Sequence, residues 1–157
     1  MTITEYLALP ERSRDALVAE RVFEQKGLGY YGPPDEGPFT HDRSTWHATK
    51  EEADASYAAH WDRTHQADSF GFVGRDDWDA ELCWWKDGWG PIACPDYSTD
   101  AADDCAVLVR VRETWGSSRQ VAFAVMLKSI WNGRDGHPFE LYYRPGDWSL
   151  AALLALE

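Results

Sequence analysis

At 157 residues the chain has the length of one ordinary domain, and 44% hydrophobic against 27% charged residues supplies a real core and excludes wholesale disorder. A net charge of −12 and a pI near 4.7 exclude a surface made to grip phosphate backbones, which needs clustered Lys and Arg, so any partner is expected to be basic. No basic-then-apolar leader opens the sequence, and the most apolar stretch, residues 149–156, is too short for a bilayer, so a cytoplasmic location is expected.

Pro10 to Gln25 reads as the first helix, with proline tolerated in the first turn and Leu17, Val18, Val22 and Phe23 as its apolar stripe. Gly27 and Gly29 stop it, and the prolines of residues 30–46 predict a loop. Thr49 and Glu52 form a capping box for a helix to about Arg63, which sets Tyr57 and Trp61 one turn apart. Phe70-Gly71-Phe72-Val73 and the run Trp78 to Trp85 are strand-like, the second ending at the turn signal Asp87-Gly88. Ser98 or Thr99 is expected to cap a further helix with Asp100, Asp103 and Asp104 at its positive end, and with Cys105, Leu108 and Val111 turned to the core. The alternation Val121, Phe123, Val125, Leu127 predicts a strand over 120–127. Trp131 to Gly136 then predicts a hairpin turn, Phe139 to Tyr143 the returning strand, and Asp147 or Ser149 the cap of a last helix. The fold class that follows is α+β, helices packed on an antiparallel sheet, in a single domain over 1–157 with a variable insert at 28–93.

The charge is unevenly placed. Residues 28–104 hold 17 acids and 5 bases and account for the whole imbalance, and they carry six of the nine tryptophans. Acidic loops alone serve solubility, but solubilising segments are poor in aromatics, whereas acids mixed with large rings suit a protein-binding face. The candidate contact residues are Asp76, Asp77, Asp79, Glu81, Trp84, Trp85 and Trp89; on a strand Asp77, Asp79 and Glu81 share one face, and Trp84 and Trp85 point to opposite faces.

Metal, nucleophile and phosphate chemistry find little support. The acidic run lacks the ligand spacing and sharp-turn glycine of a calcium loop, and His41, His47, His60 and His65 with Cys83 and Cys94 lack zinc-module spacing, so no metal and no cofactor are expected. The three cysteines, eleven apart, suggest reduced thiols, with Cys105 inert on a buried face. Ser117-Ser118 reads as a turn, not a nucleophile elbow, and Gly27-Leu28-Gly29 lacks the strand–helix context of a phosphate loop. An alternative small-ligand site, for a nucleotide signal, would use Trp115, Arg119, Trp131 and Arg134 near the expected hairpin.

Three segments, Arg14-Asp15-Ala16-Leu17-Val18-Ala19-Glu20-Arg21-Val22, Pro95-Asp96-Tyr97-Ser98-Thr99-Asp100 and Leu150-Ala151-Ala152-Leu153-Leu154-Ala155-Leu156, occur in this order. The pattern resembles the small phage proteins with the alpha-beta-alpha sandwich domain and covers the two ends of the chain, not residues 28–93. The resemblance implies a layered α/β/α sandwich and a phage or prophage origin, and it carries no catalytic residues. With the acidic middle it leads to the expectation of a non-enzymatic accessory protein in the host cytoplasm. Such a protein would inhibit a host protein or ribonucleoprotein, for instance a nucleic-acid-handling defence complex, by covering its basic surface, in the manner of an anti-CRISPR or other counter-defence protein. A nucleotide sponge is the alternative and a metal-dependent hydrolase the third reading.

Overall fold

The computed structural model describes residues 1–33, 44–64, 74, 75, 77–87, 89–132 and 143–157, which build six helices and a four-stranded antiparallel sheet. Their contacts divide the chain into two compact units, one made of Met1–Gln25 with Pro95–Glu157, the other of Lys26–Cys94. The α+β class is thus observed.

The first unit is helical in its described residues. Helix α1 (Ile3–Ala8) opens on a capping box in which Thr2 Oγ1 accepts the Glu5 N–H and Glu5 accepts the Thr2 N–H. Helix α2 (Glu11–Arg21) begins after Pro10 and is shorter than the sequence suggests, because Val22 closes it and Glu24 turns the chain at φ 56°. It buries Asp15, Val18, Ala19 and Val22, the i, i+3, i+4, i+7 pattern of one helix face.

Helix α4 (Ala101–Thr114), like α2, buries an aspartate with two valines, here Asp104, Val107 and Val111. Its cap is Asp100, whose side chain accepts the Ala102 and Asp103 N–H groups, rather than Ser98 or Thr99. Cys105 is exposed, contrary to the expected burial, since one residue from Asp104 is about 100° around the helix.

The expected strand over 120–127 is helical instead. Helix α5 (Ser117–Asn132) buries Phe123, Leu127 and Ile130, while Val121 and Val125 stand 64% and 56% exposed. Alternating apolar residues and a helical i, i+4, i+7 stripe coexist in this stretch, and packing selects the second. Trp131 and Asn132 are the last residues of α5 rather than the start of a hairpin; residues 133–142, which include most of the expected returning strand, lie outside the described residues.

Helix α6 (Asp147–Ala155) packs against α2, α4 and α5 and buries Leu150, Ala151, Ala152 and Leu153. Being apolar nearly all round, it is the core helix of this unit. Gly146, not Asp147 or Ser149, caps it.

The second unit carries the sheet. Strands β1 (Gly29–Gly32), β2 (Thr45–His47), β3 (Leu82–Lys86) and β4 (Gly90–Ala93) lie in the order β2-β1-β3-β4, all antiparallel. Residues 30–46 are therefore not all loop, and the strand expected over 78–85 is confined to Leu82–Lys86. Phe70–Val73 lies outside the described residues. Helix α3 (Lys50–Thr64) follows the Thr49 capping box, with Thr49 Oγ1 accepting the Glu52 N–H at 3.3 Å, and packs on β1 and β2. Tyr57 is buried on α3 and stacks on Trp78 with ring centres 4.4 Å apart. Among the described residues no helix is long and apolar enough to cross a membrane.

Candidate functional site

The strand register assigns each side chain of the sheet to a face. Tyr31 lies opposite Trp46, Gly29 opposite Cys83, Cys83 opposite Ala93, and Trp85 opposite Pro91, so these residues share one side. Gly32, His47, Leu82 and Trp84 fall on the other side, where α3 packs, since a Cβ on Gly32 would meet the Ala53 carbonyl of α3 at 3.3 Å. The first face is the open one, and its rings lie on each other. Tyr31 is buried, donates its hydroxyl to the Gly27 carbonyl at 2.6 Å and packs beside Trp85 with ring centres 5.7 Å apart. Trp46 donates Nε1–H to the Leu28 carbonyl at 3.0 Å and lies across Gly29, yet its residue remains 52% exposed, and Trp85 remains 36% exposed.

Glycine at 29 is what admits the Trp46 ring, because an added Cβ would run into the indole nitrogen itself. Gly29→Ala is expected to lift Trp46 off the sheet, break its hydrogen bond to Leu28 and cost about 1–3 kcal/mol as overpacking. A thermal melt and a red shift of tryptophan emission check this; unchanged emission would contradict the stacked arrangement.

The candidate contact residues divide in position. Asp77 and Glu81 are exposed, but in turn and extended backbone ahead of β3 rather than on a strand, and Asp76 lies outside the described residues. Asp79 is committed to an ion pair with Lys50, which also holds Asp54 at 2.6 Å. Trp84 is half-buried on the α3 side and Trp85 stands on the open face, on opposite sides of β3 as adjacent strand residues must be. Trp89, 71% exposed in the β3–β4 turn, has Lys86 Nζ over its ring at 5.4 Å. Trp46 and Tyr31 were missed by the sequence reading. The Gly-Tyr-Tyr-Gly run could have signalled them, because small residues beside rings in a strand mark close packing.

The alternative ligand set is not brought together. Trp115 closes α4 and Arg119 sits in the first turn of α5, while Trp131 is at the far end of that helix. Within α5, twelve residues separate Arg119 from Trp131, a rise of about 18 Å. Trp131 instead donates Nε1–H to Asp147 at 3.1 Å, and Arg134 lies outside the described residues. His41 and His65 also lie outside them, and among the described residues no three His, Cys, Asp or Glu side chains gather as metal ligands.

The helical unit holds a second group of polar residues that is structural in its connections. Asp15 is fully buried on α2 and accepts the Ser98 N–H at 2.8 Å and the Arg12 guanidinium at 3.0 Å. Burial pushes its carboxyl up, opposed by those hydrogen bonds. Asp104, also fully buried, accepts the Ser149 N–H at 2.8 Å, the Tyr143 hydroxyl at 3.0 Å and the Trp148 N–H at 3.3 Å. The Tyr97-Ser98-Thr99-Asp100 turn is tied by every member: Tyr97 stacks on Phe23, Ser98 reaches Asp15, Thr99 donates to Glu11 and Asp100 caps α4. These bonds hold the helices of this unit to one another. Comparison with known proteins gives no match to a family model, a curated sequence or a solved structure.

Proposed function

We propose that this is a non-enzymatic binding protein that acts by occupying the basic surface of a protein partner, and that it is a phage or prophage accessory protein directed at a host protein. The observation that carries the reading is the Lys26–Cys94 unit, which places exposed Trp46, Trp85 and Trp89 in a stretch with 13 acids against 6 bases. Large rings left partly in water are the usual anchors of a contact, and surrounding carboxylates steer a cationic partner toward them. The resemblance of the 14–22, 95–100 and 150–156 segments to the phage proteins supports the origin, and it makes residues 28–93 an acidic, tryptophan-rich insert in a layered α/β/α sandwich. Counter-defence is the role that joins the two: a small acidic protein covering a surface its host uses to hold nucleic acid.

The experiment is affinity capture from host lysate at two ionic strengths, followed by a plaque assay in a host that carries the captured system. A basic protein retained at low salt and released at high salt is expected, because opposite charges on exposed surfaces are screened within about 8–10 Å at physiological ionic strength. Expression of the protein should then restore plaque formation. Retention of no basic protein at low salt sinks the reading, and so does capture that is indifferent to salt.

A further inference from the structure

We infer that the open face of the sheet, the side bearing Trp46, Tyr31 and Trp85, is the docking surface and that its occupant is an arginine-bearing segment of the partner protein. This rests on the binding reading above and names its site and chemistry.

Three observations converge on it. The first is ring content without cover: Trp46 lies flat across Gly29, and Trp85 packs beside Tyr31, yet both indoles keep an exposed side. The second is charge. Exposed Glu81 directly precedes Leu82, the residue paired with Tyr30, so a carboxylate borders the end of the sheet where Tyr31 pairs with Trp46. The described strand residues on this face, Gly29, Tyr31, Trp46, Cys83, Trp85, Pro91 and Ala93, include no Lys or Arg. An aromatic surface with a carboxylate at its border and no cation among its described strand residues is complementary to a guanidinium. The planar cation stacks on an indole while its N–H groups remain free to bond the carboxylate, which a lysine ammonium does less well.

The third is the edge. The Cys94 N–H donates to the Leu82 carbonyl at 2.7 Å, so by alternation Pro91 and Ala93 turn their backbone groups to the outer side of β4. Pro91 has no N–H to offer there, which blunts strand addition along that edge and leaves the face as the surface to contact.

The test uses position 93, exposed, on the open face opposite Cys83 and two residues along β4 from Pro91, the partner of Trp85. Binding of labelled oligo-arginine and oligo-lysine peptides of equal length is measured by anisotropy at low salt for the full chain and its variants. The arginine peptide is expected to bind several-fold tighter than the lysine peptide. Ala93→Arg should weaken it by about tenfold, since like charges meet in the contact, and Ala93→Glu should tighten it. Ala124→Arg, the same charge change at an exposed position on α5 and outside the strands that build the face, should stay within about twofold because it adds no charge to the face itself. Circular dichroism establishes that each variant is folded, and the opposite signs expected at one position separate charge effects from damage. Equal weakening by Ala93→Arg and Ala124→Arg overturns the face assignment and leaves the acidic binding reading standing. Failure of both peptides to bind at low salt overturns both.

Discussion

Asp104→Ala is expected to lower the stability of the protein by about 3–5 kcal/mol, since each buried donor left without an acceptor costs about 1–3 kcal/mol and water re-satisfies only some of them. The Ser149 N–H, the Tyr143 hydroxyl and the Trp148 N–H all end on this one carboxyl, which joins α4 to the start of α6. Urea denaturation at fixed pH measures the loss; a change below 1 kcal/mol, about the worth of one ordinary hydrogen bond, would mean that the network is dispensable.

The milder Asp104→Asn carries a pH signature. Ser149 Oγ is 2.6 Å from Asp104 Oδ1 and 3.0 Å from the Tyr97 carbonyl, and it has one proton to give. The carbonyl can only accept, so when Ser149 donates to Tyr97 the short contact is completed by a proton on Asp104. Burial pushes the Asp104 carboxyl above its ordinary value of 3.8, against the hydrogen bonds from Ser149, Tyr143 and Trp148. A carboxyl whose folded pKa is raised binds its proton more tightly folded than unfolded. Its stabilising contribution is fully present below pH 3.8 and is lost as the pH rises through the folded-state value. The stability gap between wild type and Asp104→Asn should therefore be widest in acid and narrow as the pH rises. A gap that widens with rising pH would show that the group is held ionised instead.

The second large effect is expected at Gly146. Its φ is +90°, a region that costs a residue with a Cβ about 1–2 kcal/mol, and an added Cβ would lie 2.6 Å from the Ser98 carbonyl oxygen. That oxygen belongs to backbone, in a residue whose own N–H is fixed to Asp15, so it has little room to retreat. Gly146→Ala should thus cost about 3 kcal/mol in all, conformational and packing costs together. Gly146→Val should exceed it, because branching at Cβ narrows the choices further. Thermal melts of the two variants rank them, and equal melting temperatures to wild type would show that the turn relaxes freely.

What the sequence made legible was local. The Thr49–Glu52 capping box and the acidic first turn of α4 are contained within a few residues, and they are found where the spacing puts them. The failures are places where two local readings compete and distant contacts choose. Ser98, Thr99 and Asp100 are all good caps; Asp100 takes the role because Ser98 is held by Asp15, 83 residues away, and Thr99 by Glu11. In α5, β-branched Val121 and Val125 imitate a strand, while burial of Phe123, Leu127 and Ile130 makes a helix. On the open face, Trp85 was visible as chemistry, but the ring of Trp46 comes from another strand, and only the register shows that it shares that side.

The division of the chain also has a consequence during synthesis. The helical unit is assembled from residues 1–25 and 95–157, so α1 and α2 emerge from the ribosome well before the helices they pack against. At about 5–20 residues per second the intervening 69 residues occupy roughly 3–14 seconds, during which Asp15 has neither Ser98 nor a core around it. Lys26–Cys94 is continuous, and its sheet can close in that interval. The aromatic unit is therefore the first that nascent-chain physics allows to form, and the helical unit closes around an N-terminal segment that has waited unpaired.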